Sequence, residues 1–295
     1  MVPCASSANA TLADTLGGVG ARIYDSERAR NGSAAVAIRS VTSSSALARA
    51  VAAGDPIAAR AAVTRIVFNH LHIVRLRVIH DGRVLSDVGG PFVLAPISGE
   101  IRLDGRLVGR YILSIQDDVG YMKLAGRLAG LQVVMRSGAH QVMSSLSPAP
   151  GFIPRQGTLT VGGLTYVTHT IDAVAFPSGP LQIYLLARRP SPPFASRTCF
   201  QIKVAALGNV GVYVSRRFVL SSSSYGSYIS VTQGLTHALV FVRAGSRQLA
   251  GSARPAPALL PDSGTVTYRR LSYGVFSFPS HASGGHPIRI FLLVR

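Results

Sequence analysis

Arg75 and Arg77 stand two residues apart in the stretch IVRLRVI. Both lie on a strand otherwise suited to burial. There each can clamp a carboxylate through paired N–H donors. Arg110 lies on a second strand-like run, GRYILSI. Tyr111, Tyr121 and Tyr166 fall on a strand, a helix and a later strand that would converge, and tyrosine can line a cleft while keeping its hydroxyl for a ligand. Phe176, in the loop AFPSGP, can act as a lid over such a cleft. Asp117 and Asp118 are adjacent at a strand end, so their carboxylates point apart and cannot share one substrate atom as an acid–base pair. Asp118 is expected to cap the following helix, leaving Asp117 to face the pocket. Asp117 set against Arg75, Arg77 or Arg110 offers both charge signs, which suits a zwitterion such as an amino acid. For each residue the structural alternative stays open, an arginine emerging into water or a tyrosine packed in a core.

Other chemistry is weakly represented. His70 and His72 in NHLH, with His80, have a strand spacing that could face one metal, but no Cys, Asp or Glu lies beside them at ligand spacing. HASGGH at 281–286 reads as a hairpin turn. GGVG near Gly17 sits inside a helical pattern with no strand before it, so it is not a phosphate loop. No G-x-S-x-G elbow occurs. We expect no enzyme activity, no metal and no cofactor.

These residues are carried by a chain of 295 residues, 47% hydrophobic, which is enough for two cored domains. It contains no run of roughly 18 apolar residues that would span a membrane. The net charge is +18, and 28 of the 30 basic residues are arginine. They are scattered singly, without a basic run or an aromatic–basic motif, so nucleic acid is not expected as a partner. An anionic membrane or cell-wall surface fits better. The two cysteines, Cys4 and Cys199, each precede a candidate helix. A disulfide between them in an oxidising compartment is expected, with lipidation of Cys4 the competing reading.

The most informative pattern is a repeat. A shift of 107 residues carries Arg110 to Arg217, Tyr121 to Tyr228, Arg136 to Arg243, Pro148 to Pro255 and Tyr166 to Tyr273. It closes on PLQIYLLAR (180–188) against PIRIFLLVR (287–295). Before it, residues 8–40 read as one long helix that Asn31-Gly32 can interrupt. Two shorter helices follow, one after the serines at 43–45 and one opened by Asp55-Pro56. Hairpin turns are expected at Asp81-Gly82, Asp104-Gly105 and Gly162-Gly163. RRPSPPFASR is a stiff linker, and a helix starts at Cys199. Since 72–94 has no counterpart in the second copy, that copy reads as a reduced version of the first.

HIVRLRVIHDGRVLSDVGGPFVLAPISG and GRLVGRYILSIQDDVGYMKLAGRLAG resemble the double Cache extracytoplasmic sensor domains of bacterial signalling proteins. The resemblance covers nearly the whole chain. It implies an α+β fold with a long N-terminal helix followed by two PAS-like lobes, each an antiparallel sheet with flanking helices. The boundaries expected are a helical segment at 1–70, a first lobe at 71–189, a linker and connecting helix at 190–220, and a reduced second lobe at 221–295. It further implies an extracytoplasmic location and a small ligand in the first lobe, such as an amino acid or carboxylate. Asp117 would hold a ligand ammonium group. A homodimer through the N-terminal helix is a further expectation. The alternative is a cell-envelope scaffold or partner-binding protein without a small-molecule pocket.

Overall fold

The computed structural model describes residues 8–30, 32–69, 72–190 and 197–295. Within them the chain is α+β, with seven helices and three antiparallel sheets. The C-terminal part shows the plan at its simplest. Helices α6 (Cys199–Ser215) and α7 (Tyr225–Thr236) precede five strands: β12 (Leu239–Ala244), β13 (Arg247–Gly251), β14 (Ser263–Tyr268), β15 (Leu271–His281) and β16 (Pro287–Val294). The sheet order is β13-β12-β16-β15-β14. Thr198 and Gln201 form a reciprocal capping box that starts α6.

The same order recurs upstream. Helices α1 (Ala8–Ser26) and α5 (Asp118–Ala129) accompany β7 (Gln132–Ser137), β8 (His140–Ser144), β9 (Gln156–Val161), β10 (Leu164–Phe176) and β11 (Gly179–Arg188). These strands run β8-β7-β11-β10, with β9 on the far edge of β10. Register agrees as well. Arg136 pairs with Gln182 and Arg243 with Arg289, each partner 107 residues on.

Between α1 and α5 lie 91 residues with a sheet of their own, where the C-terminal part has 9 residues between α6 and α7. The insert holds α2 (Gly32–Thr42), α3 (Ser45–Ala52), α4 (Pro56–Asn69), β1 (Arg75–His80), β2 (Arg83–Gly89), β3 (Val93–Leu94), β4 (Ile97–Leu103), β5 (Arg106–Ser114) and β6 (Gln116–Asp117). Four of its strands order as β2-β1-β5-β4. Leu76, Val78, Ile101, Tyr111 and Leu113 pack this sheet under Leu47, Val51, Val63 and Ile66 of its helices, a core separate from the main one. Only β3 and β6 leave it, joining the end of β10. Of the stretch 72–94, expected to extend the first lobe, β1 and β2 therefore pair in a separate sheet, and only Val93–Leu94 joins the sheet of 131–188. A hydrophobic pattern announces a strand but does not say which sheet it joins.

The main core lies between the seven-stranded sheet that holds β7–β11 and the five-stranded sheet of β12–β16. Helices α1 and α5 cover one sheet, α6 and α7 cover the other, and α1 packs directly on α6. Val19, Ile23, Tyr121, Val210, Val214 and Tyr228 are all buried in this double helical layer. α1 stops at Ser26, so residues 8–40 form two helices that serve different sheets. The apolar side of α1, with Leu12, Val19 and Ile23, is buried within the chain itself. No helix among the described residues is long and apolar enough to cross a membrane.

Glycines set how close the central helices come to their sheets. At Gly17 an added Cβ would lie 2.2 Å from His169, and at Gly208 it would lie 2.1 Å from Phe276. Gly20 meets Leu185 and Gly211 meets Leu292 in the same way. The motifs are LGGVG (16–20) and LGNVG (207–211), 191 residues apart, and their sheet partners are 107 apart. Each motif also takes a tyrosine hydroxyl: Tyr121 donates to Gly20 O at 2.9 Å and Tyr228 to Gly211 O at 3.3 Å.

Candidate functional site

Arg75 and Arg77 share a face of β1, and Asp87 on the paired strand β2 accepts from both. Arg75 donates from Nε and Nη2 to the two carboxylate oxygens at 2.8 Å each, and from Nη1 to Gly90 O. Arg77 donates from Nε at 2.8 Å and Nη2 at 2.6 Å to Oδ2. Burial pushes the Asp87 carboxyl up, but the hydrogen bonds and charges of the two guanidiniums outweigh it. The group ends below the ordinary carboxylate value. Phe176 lies across both cations, 5.3 Å from the Arg75 guanidinium carbon and 4.6 Å from that of Arg77. The cluster thus has two cations, one carboxylate and an aromatic plate. Arg77 Nη1 has no acceptor among the described residues.

Asp117 comes near this cluster through the backbone. It pairs with Val93 on β3, and Val93 pairs with Phe176 on β10. Its side chain, however, is the N-cap of α5, with Oδ1 accepting from Gly120 N at 2.6 Å. Asp118 instead accepts from Val119 N, and burial pushes its carboxyl up. This reverses the assignment expected for the pair. The extended φ/ψ of Asp117 is the cap conformation, while Asp118 is already helical.

The remaining residues do not converge. Arg110 is exposed at the far end of the same sheet face, opposite Glu100. Tyr111 is buried on the other face, in the helix-covered core. Tyr121 is fully buried against α1, where burial pushes its hydroxyl pKa up, so it lines no cleft. Tyr166 lies on the outer face of the main sheet, packed with Val134, Ile153 and Leu186. Alternation along a strand says which residues share a face, not whether that face is core or cleft. Cys4 of the expected disulfide and His70 of the paired-histidine reading lie outside the described residues.

A second polar locus was not foreseen. Beside the α1–α6 contact is a cavity of about 720 Å³ lined by Asp14, Arg22, Lys203, His237 and Arg295, among others. Arg22 is half-buried and donates from Nε to Leu235 O at 2.7 Å. Desolvation by burial lowers its pKa. Lys203 Nζ donates to Arg295 O at 2.7 Å. The signal was present in the LGxVG repeat, but at a spacing of 191 rather than 107. No protein-family model matches this chain, and no curated protein matches it in sequence.

Proposed function

We propose that the chain is an extracytoplasmic ligand-binding sensor module of the double Cache type, made by tandem duplication of a PAS-like unit. It would recognise a small polar molecule such as an amino acid or carboxylate in the first lobe. The observation that carries this reading is the Arg75–Asp87–Arg77 cluster over Phe176. It holds one more cation than carboxylate and leaves Arg77 Nη1 for an incoming carboxylate. The basic surface suits an anionic membrane or cell wall, and the Cys4–Cys199 disulfide is part of the same proposal.

One observation favours the scaffold alternative. Arg75 has Nε and both terminal nitrogens bonded within the chain, so half of the expected clamp is occupied internally. A thermal-shift screen of common amino acids, amines and carboxylates separates the two readings, because a ligand of the native state raises its melting temperature. The sensor reading expects a hit whose affinity falls by about tenfold in Arg77→Gln. A screen without hits, or a hit indifferent to Arg77→Gln, favours the scaffold.

A further inference from the structure

The cavity beside α1 and α6 has a twin. The shifts that relate the two sheets and the two central helices carry its lining onto a groove on the other side of the α1–α6 contact. Lys203 corresponds to Leu12, His237 to Gly130, and Arg22 to Tyr213. The backbone frame is the same and the contents differ. In the twin, the Tyr213 ring packs on Gly130, so closely that a Cβ there would lie 2.7 Å from it. The space left is about 210 Å³. In the cavity the plug is replaced by a guanidinium and about 720 Å³ remains.

Three features of the cavity point the same way. The Nη1 and Nη2 groups of Arg22 have no acceptor among the described residues, and a half-buried cation without a counter-charge is unfavourable. His237 takes the left-handed helix cap, φ 57°, that its twin fills with Gly130 at 67°. A non-glycine residue there strains the backbone. The side chains facing the space include Arg22, Lys203, Arg295 and His237, with Asp14 as the acidic one, and Lys203 Nζ already donates to Arg295 O at 2.7 Å. The Asp14 carboxylate is held at 3.2 Å by His169 Nδ1 and by Gln156 Nε2. A carboxylate or phosphate would accept from both terminal nitrogens of Arg22 and neutralise the excess charge.

We propose that this cavity binds a small organic oxyanion, with Arg22 as the bidentate contact and Lys203 as the second charge. The site is separate from the Arg75–Asp87–Arg77 cluster and does not depend on it. The test is calorimetry on the whole chain with citrate as the carboxylate probe and inorganic phosphate as the other, against chloride at matched ionic strength. At least one oxyanion should bind, and its affinity should drop by about tenfold or more in Arg22→Gln and in Lys203→Gln, while Arg83→Gln, at an exposed arginine of neither site, keeps the wild-type value. If Arg22→Gln fails to fold, Lys203→Gln carries the test, since its hydrogen bond lies at the surface. The proposal is overturned if neither oxyanion binds beyond chloride, or if the folded Lys203→Gln protein binds as the wild type does. Loss of binding in Arg77→Gln alone would assign the anion to the cluster instead.

Discussion

The unit made of α1 with α5–β11 and the unit made of α6 with α7–β16 share strand order, register and the glycine contacts that seat a central helix. Their loops agree too. Arg136 Nη2 donates to Pro150 O at 2.5 Å and Arg243 Nη2 to Pro257 O, while Ser145 and Ser252 each accept from a strand N–H at 2.8 Å. They differ where the two helices connect and in what fills the groove beside the central helix. The unit with the long insert gains the Arg75–Asp87–Arg77 cluster. The shorter one borders the polar cavity, together with Arg22 of α1. What recurs is packing that each sheet needs in order to cover one face. What diverges lies at connections and grooves, where a change costs little core.

The sharpest test of the likeness is the pair Gly17→Ala and Gly208→Ala. Each new Cβ would overlap a side chain of the sheet, so each should cost about 2–3 kcal/mol by denaturant unfolding. A cost confined to one of them would mean that the two helices are seated differently. Gly18→Ala is the control. Its Cβ meets only Arg22, with Nη1 nearest at 3.4 Å, and helix propensity should make it neutral or stabilising by up to about 1 kcal/mol.

Next in size, Asp87→Ala tests the insert that has no twin. It leaves two guanidiniums together without a carboxylate and should cost about 2 kcal/mol near neutral pH. The sign with pH follows from the lowered folded pKa of Asp87. Its contribution is present above the ordinary value of 3.8 and is lost as pH falls through the lower folded value. Melting curves of wild type and variant should therefore separate at pH 7 and draw together in strong acid. A gap that stays constant with pH would remove the ion pair as its cause.

The smallest effect is expected from Tyr121→Phe and Tyr228→Phe. Each removes a hydroxyl bonded to a buried glycine carbonyl, at a cost of about 1 kcal/mol. Thermal unfolding should show similar losses, slightly larger for Tyr121, whose bond is shorter. If Tyr228→Phe alone were silent, the second unit would not rely on the shared contact.

Much of this was legible from the chain because its causes are local. Asp81-Gly82, Asp104-Gly105 and Gly162-Gly163 all take positive φ as the hairpins require, and the helix opened by Asp55-Pro56 has Asp55 Oδ1 accepting from Ile57 N and Ala58 N. The 107-residue spacing relates Arg136–Gln182 to Arg243–Arg289, and these are paired positions in the two sheets. Arg75 and Arg77 were candidates from the sequence, but not the Asp87 that joins them, since cross-strand register decides which carboxylate arrives. Tyr121 and Tyr166 could not be told from cleft residues, because an amphipathic side chain suits a core, a sheet face or a pocket equally. That α1 belongs with a sheet beginning more than a hundred residues later was decided by packing across the insert. LGGVG takes its meaning only from His169 and Leu185, which lie beneath it in the fold. The facing grooves are tertiary for the same reason. Leu12 and Lys203, or Tyr213 and Arg22, become comparable positions only when α1 and α6 meet back to back.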